Sequence, residues 1–129
     1  MPRDLEIAVI DDDESFRDAP VESLFSLGYR ADGFASAEDY LGTIEDYLGT
    51  VNGKWFDCVV TDIHMPGMSG LDLMKRLAAR GSTAPVVLIT ARCDSSLEAQ
   101  AVASGAVCLF RKPFEIDDLI KCIEDAVKG

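Results

Sequence analysis

The stretch Val59-Val60-Thr61-Asp62-Ile63-His64-Met65-Pro66-Gly67-Met68-Ser69-Gly70 decides how this chain is read. An apolar run ends in an aspartate, and a turn bearing proline and glycine follows at once. This is the pattern of a buried strand that carries Asp62 to its exposed C-terminal edge. In an open parallel sheet, ligands bind and chemistry takes place at that edge. Aspartate also favours turns through hydrogen bonds to its own backbone, so Asp62 taken alone reads equally well as a turn cap.

The neighbouring segments break the tie. Leu5 to Ile10 is a second apolar run, and it ends in Asp11-Asp12-Asp13-Glu14. Consecutive acids repel one another unless a cation or basic group neutralises them. Some of these acids also suit a helix N-terminus, with Asp13 or Ser15 as the natural N-cap. From Ser15 to Leu27, Phe16, Ala19, Leu24 and Leu27 recur at helical spacing and Gly28 is a stop; Pro20 predicts a kink there. Tyr29 to Phe34 reads as a short strand interrupted by Asp32-Gly33.

Ser36-Ala37-Glu38-Asp39 opens a second helix that contains an internal repeat. Glu38-Asp39-Tyr40-Leu41-Gly42-Thr43-Ile44 is followed by Glu45-Asp46-Tyr47-Leu48-Gly49-Thr50-Val51. A copy of this length adds nearly two turns, so Tyr40, Leu41, Ile44, Tyr47, Leu48 and Val51 continue one stripe. The repeat therefore predicts a lengthened helix before the Asn52-Gly53 turn. Trp55 then precedes the central strand, Phe56 to Asp62, as a partly buried anchor.

Beyond it, Gly70 to Arg80 reads as a helix with Leu71, Met74, Leu77 and Ala78 inward. Pro85 to Thr90 is an apolar strand ending in a hydroxyl, and Ser95 to Ser104 is a modest helix. Ala106 to Phe110 is a fifth strand ending in Arg111-Lys112-Pro113-Phe114. Ile116 to Lys128 is the last helix, with Ile116, Leu119, Ile120, Ile123 and Val127 on one side. Strands alternating with helices, and strands apolar throughout, imply an α/β fold whose parallel sheet is covered on both faces. A doubly wound, flavodoxin-like sheet in the order 2-1-3-4-5 fits five strands and five helices.

Composition narrows the function classes. The 129 residues suit a single domain spanning 1–129, with 48% hydrophobic and 27% charged residues as in soluble globular proteins. A net charge of −11 opposes direct nucleic-acid binding. No apolar run is long enough to span a membrane and no signal pattern opens the chain, so a cytoplasmic location is expected. The four cysteines, Cys58, Cys93, Cys108 and Cys122, show no C-x-x-C or metal spacing and are read as reduced thiols. Met65, Met68 and Met74 read as turn and core fillers.

In such a sheet the first, third, fourth and fifth strands bring Asp11-Asp12, Asp62, Thr90 and Lys112 to one edge. Three converging carboxylates call for a hard divalent cation such as Mg²⁺. A lysine and a threonine hydroxyl beside them suit phosphoryl oxygens, and an aspartate is an attested phosphoryl acceptor.

These residues carry a resemblance. The acidic pair after the first strand, Asp62-x-x-Met65-Pro66-Gly67-Met68-x-Gly70, Thr90-Ala91 and Lys112-Pro113-Phe114 resemble a response-regulator receiver domain of bacterial two-component signalling, from Ile7 to Val127. The resemblance implies that Asp62 receives a phosphoryl group from a sensor histidine kinase or a histidine phosphotransfer protein. It implies Mg²⁺ held directly by Asp12 and Asp62, by Asp11 through water, and by the backbone carbonyl of His64. Lys112 would pair with Asp11 and the phosphoryl group, and Thr90 would move toward that group. Ala91, being small, would leave the site accessible, and Lys112-Pro113 would be a cis peptide.

Phosphorylation would then change the surface of the fourth helix, fifth strand and fifth helix, with a phosphorylation-dependent homodimer as one consequence. The chain would be no enzyme beyond its own phosphorylation and dephosphorylation. Where the family's switch has an aromatic residue, three positions before the lysine, this chain has Leu109. Phe110 lies on the opposite strand face, so altered coupling through Leu109 is expected. His64 is read as a rim residue affecting access, not as a phosphohistidine relay.

Two other classes compete. Asp11-Asp12-Asp13 also satisfies the strand-Asp-x-Asp pattern of a haloacid-dehalogenase-type phosphohydrolase, with Asp11 as nucleophile and Asp13 as acid/base. That reading leaves Asp62 unexplained. A phosphorylation-independent docking module would have no use for the intact acids, Thr90 and Lys112.

Overall fold

A computed structural model of the chain describes residues 5–48, 56–82, 84–92 and 95–128, the side chains of 45–48 and 128 excepted. Strands and helices alternate: β1 (Glu6–Ile10), α1 (Glu14–Ser26), β2 (Arg30–Phe34), α2 (Ala37–Leu48), β3 (Cys58–Asp62), α3 (Gly70–Ala79), β4 (Val86–Thr90), α4 (Ser95–Ala103), β5 (Cys108–Arg111) and α5 (Ile116–Lys128). The strands form one parallel sheet in the order β2-β1-β3-β4-β5, as the alternation predicts.

Every residue of β3 and β4 is buried. Helices covering both faces leave a central strand no solvated side, which is why these strands are apolar throughout and not alternating. Alternate residues feed two cores. Ala8, Ile10, Val59 and Leu88 pack with Tyr40, Leu73 and Leu97 of α2, α3 and α4. Ile7, Val9, Val60 and Ile89 pack with Leu24 and Leu119 of α1 and α5. Leu109 joins the first core and Phe110 the second, so the two do project to opposite faces.

Local readings needed correction where tertiary packing overrides periodicity. In α1 the inward residues are Pro20 and Leu24, whereas Ala19 and Leu27 are exposed. The helix continues through Pro20; the imide deprives Phe16's carbonyl of its helical donor, and the proline ring is buried. In α3, Leu73 is buried and Ala78 is exposed. Asp32-Gly33 does not interrupt β2, which pairs with β1 from Arg30 to Phe34; both residues are exposed on an edge strand. The first copy of the repeat buries Tyr40, Leu41 and Ile44. The side chains of Tyr47 and Leu48, with Val51, the Asn52-Gly53 turn, Trp55 and Cys93, lie outside the described residues.

The reading of four reduced thiols is overturned for two of them. Cys108 in β5 and Cys122 in α5 form a disulfide, with S–S 2.13 Å and Cα–Cα 7.1 Å. Their separation of 14 residues follows no motif; the packing of α5 beside β5 brings them together. Cys58 is a free, buried thiol whose pKa burial pushes up to about 12.

Gly70 sets the join between β3 and α3. Its N–H donates to the Ile63 carbonyl at 3.0 Å. A Cβ there would stand 2.4 Å from the Asp62 carbonyl oxygen and 3.1 Å from Ile63 Cα, both backbone atoms that cannot swing aside. Gly70→Ala is therefore expected to destabilise the fold by about 2 kcal/mol or more. Gly42→Ala, in open space on α2, should stabilise by about 0.5–1 kcal/mol; paired urea titrations check both. Peptide mapping without reductant should recover Cys108 and Cys122 linked, and reduction should lower stability by about 2–3 kcal/mol. Alkylation of both cysteines before reduction would contradict this.

Candidate functional site

β1 and β3 are neighbours, with Ile10 paired to Thr61. The residues that follow this pair, Asp11 and Asp62, consequently emerge side by side at the C-terminal edge. Asp11 is 1% exposed and Asp62 4%, while Asp12 is exposed. One carboxylate oxygen from each of the three lies within 4.8 Å of the others.

Lys112 arrives from the end of β5. Its N–H donates to the Thr90 carbonyl at 2.8 Å, and the bond to Pro113 is cis. The ammonium stands 2.9 Å from Asp11 Oδ2 and 3.5 Å from Asp62 Oδ2, donating a hydrogen bond to the latter. The contact with Asp11 is the shorter of the two and forms a close ion pair. Asp11 Oδ1 accepts the N–H of Asp13 at 2.9 Å.

Three carboxylates face one ammonium, and negative charge remains in excess. Burial, reinforced by the charge of Asp11, pushes the Asp62 carboxyl up to about 6 even though Lys112 opposes the shift. Burial by itself would lower the Lys112 pKa, but Asp11 and Asp62 outweigh it and the net shift is upward. Asp62 Oδ1 is buried with no hydrogen-bond partner among the described residues, a condition that costs free energy unless something else binds there. An all-oxygen set with an orphaned buried oxygen and surplus negative charge suits a hard divalent cation, so this acidic triad is able to bind a metal.

Other residues singled out from the sequence fall as follows. Thr90 is fully buried; its hydroxyl donates to the Arg92 carbonyl and accepts the Arg92 N–H at 3.1 Å, so it is engaged in its own loop. Ala91 and His64 are exposed. Leu109 is half-buried and lines a surface depression with Glu98, Val102 and Arg111. Asp13 caps α1, accepting from Ser15 at 3.0 Å and Phe16 at 3.4 Å.

Three contributors had no local signature. Arg17 donates to the Asp11 carbonyl at 3.2 Å. Glu38, in the first turn of α2, accepts the Met68 N–H at 2.9 Å and steadies the turn after β3; that bond holds its carboxyl below the usual range. The ring of Phe16 lies against Lys112, with the ammonium 4.4 Å from its centroid. The contacts of Glu38 and Phe16 depend on partners far along the chain.

The elevated Asp62 pKa has a consequence for the metal-free protein. The folded state holds this proton more tightly than the unfolded chain, so ionising Asp62 costs stability. The cost is absent below about pH 4, grows through the interval up to about 6, and is complete above it. Asp62→Asn removes it. With solvent screening allowed for, the variant should exceed the parent in stability by ~1–2 kcal/mol at pH 7. The difference should vanish near pH 4, as urea midpoints across that range will show.

Residues 7–124 match the response regulator receiver domain. Similar curated proteins include the transcriptional regulatory protein FixJ of Bradyrhizobium diazoefficiens, 38% identical over 122 residues, covering 95% of this chain and 56% of that protein. The response regulator protein TmoT of Ectopseudomonas mendocina is 32% identical over 122 residues, covering 95% and 52% respectively. The chain thus spans about half the length of the curated relatives it matches. Among solved structures, that of FixJ-N shares 30% identity at a TM-score of 0.82 and covers 98% of this chain and 95% of its own. The BeF3-activated DrrB receiver domain shares 25% identity at a TM-score of 0.84, covering 98% and 99%. With the acidic triad and its lysine at the expected sheet edge, these matches show that the chain belongs to the response regulator receiver domain family.

Proposed function

We propose that residues 1–129 work as one phosphoryl-accepting switch in which Asp62 takes its phosphoryl group from the phosphohistidine of a sensor histidine kinase or a histidine phosphotransfer protein. The observation that carries this is the meeting of Asp62, Asp11, Asp12 and Lys112 at one edge, with a buried Asp62 oxygen left unsatisfied. Asp11, Asp12, Asp62 and the carbonyl of His64 would hold Mg²⁺. When bound, that ion would supply charge neutralisation for the transferred group.

The chain's own residues do the rest. With a pKa of about 6, Asp62 is mostly carboxylate at neutral pH and serves as nucleophile. Its oxygen bonds to phosphorus as the bond from phosphorus to the donor nitrogen breaks. Lys112, charged and already beside Asp62 Oδ2, shifts to the oxygens of the incoming group. Thr90 exchanges its bond to the Arg92 carbonyl for a phosphoryl oxygen, and Ala91 leaves the approach open. The change reaches the face of α4, β5 and α5 with Leu109 where an aromatic ring is usual. Exposed Val102 of α4, beside Leu109 and Arg111 of β5, suits a phosphorylation-dependent homodimer. The domain catalyses only its own phosphorylation and dephosphorylation, in the cytoplasm where its kinase acts.

Incubation with acetyl phosphate and Mg²⁺ should add one acid-labile phosphoryl group, seen by intact mass. Asp62→Asn should add none, and Lys112→Ala should react on the order of 10²-fold more slowly. An adduct that persists in Asp62→Asn sinks the assignment, and a parent protein inert with Mg²⁺ present would favour a docking module instead.

A further inference from the structure

Lys112 is a charged group on a flexible four-carbon stem, yet its side chain is only 10% exposed and its ammonium sits between two carboxylates at unequal distances. Such a group relaxes toward the nearer acid, Asp11, unless something fixes its third side. The ring of Phe16 occupies that side. Its centroid lies 4.4 Å from Nζ, within the range where the negative face of a ring attracts a cation. A ring face also offers no hydrogen bond that competes with the carboxylates.

Phe16 is itself held. Asp13 accepts its N–H at the start of α1, and its ring packs against Phe114 at 6.1 Å between centroids. Phe114 packs in turn against Phe110 at 6.0 Å. Phe110 and Phe114 flank Lys112 two residues to either side, so the lysine's backbone and the ring facing its ammonium belong to one aromatic stack. Both phenylalanines pack against the core under α1 and α5.

We propose that Phe16 is a positioning residue that holds the Lys112 ammonium over Asp62, where it meets the oxygens of the incoming phosphoryl group. The proposal rests on the phospho-acceptor reading above. It assigns to the first turn of α1 a part in the reaction that its sequence does not announce.

Phe16→Leu and Phe16→Met keep an apolar side chain and remove the ring, while Phe16→Tyr keeps the ring. In the parent, the ε-methylene protons of Lys112 should show an upfield ring-current shift by ¹H–¹³C NMR. The shift should disappear in Phe16→Leu and Phe16→Met and persist in Phe16→Tyr. Phosphorylation by acetyl phosphate with Mg²⁺ should slow by about 3- to 10-fold in the first two variants and recover in Phe16→Tyr. In a Lys112→Ala background, Phe16→Leu should slow it no further. An unchanged Lys112 shift overturns the proposal, as does a Tyr variant as slow as Leu or equal slowing in both backgrounds. A parent that takes up no phosphoryl group would sink the phospho-acceptor reading instead, and the NMR shift would still decide whether Phe16 places Lys112.

Discussion

The ammonium of Lys112, 2.9 Å from Asp11 and 3.5 Å from Asp62, is the contact on which the site depends. Asp11 and Asp62 are forced together because β1 and β3 are adjacent and end in register. Two carboxylates buried side by side repel one another, and Lys112 is the cation placed against both. Lys112 offsets burial and the repulsion from Asp11 only in part, so the Asp62 pKa stays raised. The same surplus of negative charge favours a ligand that brings positive charge, and an all-oxygen set suits a divalent cation.

The fold serves this contact at several points. Gly70 lets α3 begin against the Asp62 carbonyl, Glu38 pins the intervening turn through Met68, and the Thr90 carbonyl anchors Lys112's backbone. Each restraint acts on a loop at the C-terminal edge, while the sheet beneath is plain apolar packing. The Thr90 hydroxyl is likewise engaged at this edge, by the Arg92 carbonyl in its own loop.

Much of this was legible in the chain itself. Apolar runs ending in Asp62, Thr90 and Asp11 mark central parallel strands because nothing else in a small α/β protein is apolar throughout and so abruptly terminated. Their order brings the polar ends together, so the acids and Lys112 were found from topology and charge. Periodicity failed where burial is decided by neighbours: Ala19 and Leu27 fit the α1 stripe and are exposed, whereas Pro20 is buried. It also said nothing of the Cys108–Cys122 disulfide or the Phe16–Lys112 contact. Those pairings depend on how α5 and α1 seat against β5 and its loop, which no local spacing encodes. Strand alternation is a local rule, and it suffices to place Leu109 and Phe110 in different cores.

The central claim is that Asp62, the acids and Lys112 form one phosphoryl site. ¹⁹F NMR of the protein with beryllofluoride, a phosphoryl mimic, tests it most directly. Protein-bound fluoride resonances should emerge only when Mg²⁺ is present and should be absent from Asp62→Asn. No bound resonance in the parent with Mg²⁺, or the same resonances in Asp62→Asn, would contradict it.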